Sequence, residues 1–170
     1  MQNNHLLIFV AKEKFSQIEL DIIKNFLISR KIKFSIISDT ANYCISDKNI
    51  RLVPDIKFYN LHTSNFTALI ILGGTGILEY KLNDFLKNIV MNFNYNNKII
   101  GAICNAPVLL DSYQILINKK LNCYSQNKHL LQHNNYSEEN IIINGNIITA
   151  KDSSLSLEFI KTIINKIKGN

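Results

Sequence analysis

Cysteine is scarce in this chain, and long apolar runs are missing. The three cysteines, Cys44, Cys104 and Cys123, are an odd number with no CxxC pair. That argues against a disulfide framework and a cysteine-rich zinc site, and free thiols fit a reducing compartment. No segment holds the roughly 18 uninterrupted apolar residues that a membrane span requires. The opening MQNNHLLIFVAKEKF has no basic residue ahead of its short apolar run and no small-residue cleavage site after it. It reads as a first strand rather than a signal peptide, so a cytoplasmic protein with no membrane partner is expected. The net charge of +6 comes from scattered lysines, mildly clustered at Lys161, Lys166 and Lys168, without a basic-aromatic RNA-binding signature or zinc-finger spacing. Nucleic acid is therefore not an expected partner.

What is present is 170 residues, 46% hydrophobic, enough for one domain with a real core. Strand-like and helix-like patterns alternate along the chain. HLLIFVA (residues 5–11) is an apolar strand, followed by a helix over 15–30 with Ile18, Ile22, Phe26 and Leu27 at helical spacing. IKFSIIS (32–38) is a second strand, and 42–55 reads as a polar hairpin with its turn near Asp47 to Asn49. TALIILGG (67–74) has the continuous apolar character of a central parallel strand. Leu82, Phe85, Leu86, Ile89 and Val90 mark the next helix, and then come a strand over 98–103 and a helix after Cys104. KLNCYS (120–125) predicts a short strand, 140–150 a hairpin with Asn144-Gly145 at its turn, and 153–168 an amphipathic terminal helix. With no linker or repeat, residues 1–170 predict a single α/β domain. The expected fold is a flavodoxin-like three-layer sandwich with a mostly parallel central sheet. Ligands of such sheets sit beyond the carboxyl ends of the strands.

Three features lie at those ends. Cys104 stands where an apolar strand stops and Asn105-Ala106-Pro107 opens a helix. A thiol there faces free N–H groups and the positive end of the helix, which favour thiolate, and Pro suits the first turn. A buried small residue is the equally open alternative. Gly73-Gly74 ends the central strand, and its amides together with that of Asn105 could form an oxyanion hole; a plain strand-ending turn is the alternative. GGTG lacks the Lys-Ser/Thr of a P-loop and the GxGxxG spacing of a dinucleotide site. Glu19 lies on the first helix, one residue after a core-facing Ile18, and is either a crevice carboxyl of raised pKa or a solvated one. His129 and His133 are spaced i, i+4 but have no HExxH glutamate or third ligand, so no metal is expected.

Taken together, FVAKEKFSQIEL, ALIILGG, GAICNAPVLL and NGNIITAKDSSLSLEF resemble, in order and spacing, the DJ-1/PfpI (ThiJ/PfpI) family. That family is itself similar to class I glutamine amidotransferase domains. The resemblance covers nearly the whole chain and implies a homodimer of flavodoxin-like sandwiches. It places Glu19 at the family's active-site glutamate and Cys104 at its reactive cysteine, a thiolate that hydrogen-bonds a protonated Glu and oxidises readily. It also implies glyoxalase or deglycase chemistry, peptidase activity in one branch, or redox sensing and chaperone roles. The departures sort these. The peptidase-like branch carries His after Cys, and here Asn105 stands there. Glyoxalase-competent relatives place a His where Tyr124 stands, and KDSS replaces an Arg-Gly-Pro-Gly-like turn. The reading that follows is a cofactor-free enzyme for a small-molecule carbonyl such as methylglyoxal. Cys104 is its nucleophile, Glu19 its acid-base group, Gly74 and Asn105 its oxyanion amides, and Gly73 and Tyr124 its pocket. The alternative is a non-enzymatic oxidative-stress sensor or chaperone acting through oxidation of Cys104.

Overall fold

The runs richest in Ile, Leu and Val become the central strands of the computed structural model, which describes residues 4–169. The main sheet holds β1 (His5–Phe9), β3 (Lys33–Ile37), β6 (Ala68–Ile71), β7 (Ile99–Ile103), β10 (Ile141–Asn144) and β11 (Ile147–Ala150). Its order is β10-β11-β7-β6-β1-β3. All pairs are parallel except the edge hairpin β10–β11. Read in chain order, the five parallel strands run 2-1-3-4-5, the flavodoxin-like winding. Every residue of β6 and β7 is buried, as a strand covered on both faces requires.

Helices α1 (Gln17–Ser29) and α4 (Ser156–Lys168) pack on each other and on β3, β7 and β11, while α2 (Asp84–Tyr95) packs on β6 and β7. A short α3 (Pro107–Ser112) follows the cysteine, with Pro107 in its first turn as expected. Glu13–Phe15 (β2), Cys44–Ser46 (β4) and Arg51–Leu52 (β5) make a small side sheet over the start of α1. Among the described residues, no helix is long and apolar enough to cross a membrane.

Four local expectations change. The buried stripe of α1 is Leu20, Ile23 and Leu27 with Glu19, and Ile18 is 54% exposed. The expected stripe was rotated because a glutamate was counted as polar. Leu82 is 93% exposed, because Asn83 caps α2 by accepting from Leu86 N–H at 2.9 Å and starts the helix after it. The hairpin turn is Gly145-Asn146 rather than Asn144-Gly145: Asn144 pairs with Ile147, and Gly145 supplies φ +61°. The expected strand over 120–125 shrinks to β8 (Lys120–Leu121), which pairs with β9 (Asn135–Tyr136) outside the main sheet. Beyond it Asn122 donates Nδ2 to the carbonyls of Glu139 and Asn140 at 2.7 and 3.1 Å, so a side chain rather than a longer ladder ties this segment down.

Candidate active site

The carboxyl ends of β6, β7 and β11 and the first turn of α1 converge on Cys104. Its φ is +61°, a left-handed conformation that costs a non-glycine residue free energy and persists only where its surroundings enforce it. Here they do. Cys104 N–H donates to Ala150 O at 3.0 Å, its carbonyl accepts from Tyr124 N–H at 2.8 Å, and Ala106 N–H closes the turn onto Ile103 O at 3.0 Å. The elbow turns the thiol toward Glu19, Ser153 and the backbone N–H groups of Gly74 and Asn105. Because α3 has only six residues, these amides, more than a helix dipole, supply the positive field at sulfur.

Glu19 is wholly buried. Ser16 caps α1 by accepting from Glu19 N–H at 3.5 Å, and the Ser16-x-x-Glu19 spacing is that of a capping box. The Ser16 amide, however, is already donated to Gly73 O at 3.1 Å. The carboxyl therefore turns inward, where Oε2 accepts from Gly73 N–H at 2.6 Å and Oε1 from Ser153 Oγ at 2.8 Å. Gly73 fits between the two functional groups. An ideal Cβ on it would lie 2.7 Å from Cys104 Cβ and 2.9 Å from Glu19 Oε1.

Burial pushes the Glu19 carboxyl up to about 7, against the pull of hydrogen bonds from Gly73, Ser153, Cys104 and Ser16. Burial, and then the Glu19 charge, push the Cys104 thiol up to about 12, while Ser153 and the amides of Gly74 and Asn105 pull it down. The two groups share one problem. Two adjacent buried anions are costly, so ionising one favours the proton on the other. Once Glu19 holds the proton its repulsion of the thiolate is gone, and the three remaining donors favour that thiolate.

A family model described as the DJ-1/PfpI family matches residues 4–166. The chain belongs to the DJ-1/PfpI family. An uncharacterised protein of Methanocaldococcus jannaschii is 27% identical over 175 residues, spanning 100% of this chain and 85% of that protein. The glutathione-independent glyoxalase DJR-1.2 of Caenorhabditis elegans is 22% identical, over 96% of this chain and 88% of its own. Among solved structures, a ThiJ/PfpI domain protein from Brachyspira murdochii has a TM-score of 0.90 at 22% identity, covering 99% of this chain and 98% of that one. Drosophila melanogaster DJ-1beta has a TM-score of 0.87 at 20% identity, covering 98% and 91%. These structural likenesses are likenesses of fold.

In this DJ-1/PfpI chain the residue after the cysteine is part of a brace. Asn105 Nδ2 donates to Gly74 O at 3.0 Å, and Asn105 Oδ1 accepts from Asn127 Nδ2 at 2.8 Å. Tyr124 reaches the elbow through its backbone amide, and its half-buried ring packs against the core. His129 lies in a 3-10 turn, and His133 follows in a bend outside any helix with its amide on Asp111 Oδ1 at 3.0 Å, so the two share no helix face. The cavity of about 420 Å³ beside Asn4, Phe26, Arg30 and Lys161 is not lined by Cys104 or Glu19. Chemistry rather than concavity locates this site. Sequence reading missed Ser153 and Asn127. Ser153 stands in the KDSS segment that replaces the Arg-Gly-Pro-Gly-like turn, and the capping-box spacing from Ser16 is the one local signal that Glu19 begins a helix.

Proposed function

We propose that the protein is a cofactor-free enzyme converting a small 2-oxoaldehyde of the methylglyoxal type to the 2-hydroxy acid. The single observation that carries this is the buried Glu19 carboxyl, held by Gly73 N–H at 2.6 Å and facing the thiol of a left-handed Cys104 elbow. The name of the nematode relative supports the same chemistry. Glu19 takes the thiol proton, and the thiolate adds to the aldehyde carbon. The developing oxyanion lies against the N–H groups of Gly74 and Asn105, and it receives the Glu19 proton. Glu19 then removes the hydrogen of that carbon as a proton and returns it to the neighbouring carbon. The hydroxyl proton of the first carbon passes, again through Glu19, to the oxygen of the second, which leaves a 2-hydroxy thioester. Water hydrolyses the thioester, giving the hydroxy acid and the free thiol. Oxidation of one carbon balances reduction of the other, so no external oxidant is needed. No imidazole takes part; Glu19 serves each proton transfer.

The test is turnover of methylglyoxal with the hydroxy acid identified. Cys104→Ala should lower it by about 10³-fold or more while leaving the unfolding midpoint near that of wild type. Folded wild-type protein without turnover at saturating substrate overturns the reading.

One observation favours a second reading, a redox-responsive protein without turnover: Cys104 is 8% exposed, whereas Cys44 and Cys123 are wholly buried. An oxidant would then meet Cys104 first. Mild peroxide should add oxygen to the Cys104 peptide before the other two, and the reverse order dismisses it.

We further propose a homodimer in a cytoplasmic setting. The start of α1 adjoins the side sheet, with Gln17 N–H donating to Asp47 Oδ1 at 3.1 Å. Ile18 in this helix turn and Tyr43, Ile50 and Val53 flanking the side-sheet strands are exposed. Sedimentation should give about twice the chain mass, reverting to the monomer in Ile18→Lys. A wild-type monomer at micromolar concentration removes the proposal.

A further inference from the structure

A cleft of about 420 Å³ opens at the end of the sheet opposite Cys104, where β1 and β3 begin and α1 and α4 end. That is the size of a small-molecule site. Its floor is apolar: Ile164 is buried, and Phe26 and Ile32 are half-buried. Arg30, Lys161 and Lys168 line it as exposed cations, and none of the described residues lining it is acidic. Cations near helix ends ordinarily answer free carbonyls and the helix dipole, and Lys168, in the last turn of α4, is placed to do so. Arg30 and Lys161 have no such task. The closing carbonyls of α1 are taken by backbone: Phe26 O accepts from Arg30 N–H at 3.1 Å, Ile28 O from Lys31 N–H at 3.0 Å and Leu27 O from Ile32 N–H at 2.9 Å. Lys161 lies in the middle of α4. The ion pairs among the described residues, Lys120–Glu139 and Lys151–Glu138, include neither cation. The Arg30 guanidinium lies 5.6 Å from the centre of the Phe26 ring, a ring that itself lines the cleft. A further polar group there is Asn4, whose buried Oδ1 has no hydrogen-bond partner among the described residues. A buried amide end left unpaired is costly, and an asparagine turned end for end presents its NH₂ instead.

We propose that this cleft is a second binding site, which takes a small single-chain amphiphile with an anionic head, represented by the fatty carboxylate decanoate. The choice of occupant follows from the lining. Cations without an acid among them select an anion. The apolar side chains beneath them ask for a hydrocarbon body, which a free inorganic anion lacks, and covering them removes apolar surface from water. Arg30 offers a planar fork that fits two oxygens of the head, Lys161 adds a second charge, and the Asn4 amide gains the partner it lacks. Binding is non-covalent and lies at the far end of the strands from Cys104, so it goes beyond the carbonyl chemistry proposed above and does not depend on it.

The experiment is calorimetric titration of the full chain with sodium decanoate, kept below the concentration at which it forms micelles, in wild type, Arg30→Gln, Lys161→Gln and Cys104→Ala. Wild type and Cys104→Ala should each show one saturable site per chain with the same affinity. Loss of one charge-assisted contact should weaken binding about tenfold in Arg30→Gln and again in Lys161→Gln, with unfolding midpoints near that of wild type because both positions are exposed. Decanol, which has the tail without the charge, and inorganic phosphate, which has charge without the tail, should each bind about tenfold more weakly or worse. No saturable binding to the wild type overturns the proposal, as does equal affinity for decanol or for the two charge variants. Phosphate binding as tightly as decanoate would also overturn it, since the apolar floor would then play no part. Sedimentation with phosphatidylglycerol vesicles in a protein that decanoate does not saturate would make the patch membrane-facing, and the proposal would fall. Binding lost in Cys104→Ala would put the amphiphile at the other end of the sheet and refute the assignment to this cleft. Absence of methylglyoxal turnover leaves each of these outcomes readable.

Discussion

Glu19→Gln is expected to fold, to exceed wild type in stability by about 3 kcal/mol at pH 8, and to turn over dicarbonyl about 10³-fold more slowly. The stability gain follows from a wholly buried carboxyl whose pKa burial raises from 4.5 to about 7. Between those values the folded protein holds a proton that the unfolded chain has released. The stability of the neutral form is therefore complete below about pH 4.5, falls as the pH rises toward 7, and is gone above it. Glutamine cannot ionise. Its amide oxygen accepts from Gly73 N–H as Glu19 Oε2 does, and its NH₂ can donate to Ser153 Oγ. The variant copies the protonated site at every pH, and it cannot take the thiol proton. Urea midpoints at pH 5 and pH 8 read the first effect: wild type should lose stability between them and Glu19→Gln should not. A flat wild-type response would mean that the carboxyl stays ionised in both states.

That inversion of the usual preference, a glutamate made more comfortable by acid, is also where sequence reading was weakest. The sheet was legible because its central strands are apolar runs long enough to be covered on both faces, as in ALII and IIGAI. The elbow was legible because such a run stops abruptly at Cys104 with Pro107 close behind. The inward face of α1 was not, since periodicity scores carboxylates as outward and so placed Ile18 inside. Only Gly73, brought alongside by β6, gives Glu19 Oε2 a partner that permits burial. Ser153 was invisible for a related reason. Its partner lies 134 residues away in the chain, and the pairing exists only because β11 ends beside β7, next to the first turn of α1. Strand and helix patterns are local, whereas the site is made where four element ends meet.

The two glycines that end β6 are expected to fail in different ways when given a methyl group, and the difference separates fold from chemistry. Gly74 has φ +98°, and an ideal Cβ on it would stand 2.2 Å from Lys14 O, 2.7 Å from Ser16 N and 2.8 Å from the carbonyl carbon of Phe15. All three are backbone atoms of the segment that bridges Phe15 to Gly74 and leads into α1. None can yield without moving the helix. Gly74→Ala should therefore lose about 4 kcal/mol or more, from left-handed strain plus overpacking, and accumulate as poorly folded protein. At Gly73 the nearest atoms to a new Cβ are Cys104 Cβ and Glu19 Oε1, followed by Ile103 O at 3.0 Å. Of these only Glu19 Oε1 is the end of a flexible side chain, and Cys104 Cβ moves only with the elbow backbone. Gly73→Ala should therefore stay folded at a cost of about 3 kcal/mol, less than at Gly74 because its φ is not left-handed. The methyl would nevertheless wedge apart the thiol and the carboxyl. Displacing them by about 1 Å should cost on the order of 10²-fold in turnover and in the rate of Cys104 alkylation. Urea midpoints and alkylation rates measured on both variants decide the matter. A stable Gly74→Ala would mean that the 73–74 turn is softer than its contacts require. A Gly73→Ala protein with wild-type reactivity would mean that the closeness of Cys104 and Glu19 is not what activates the sulfur.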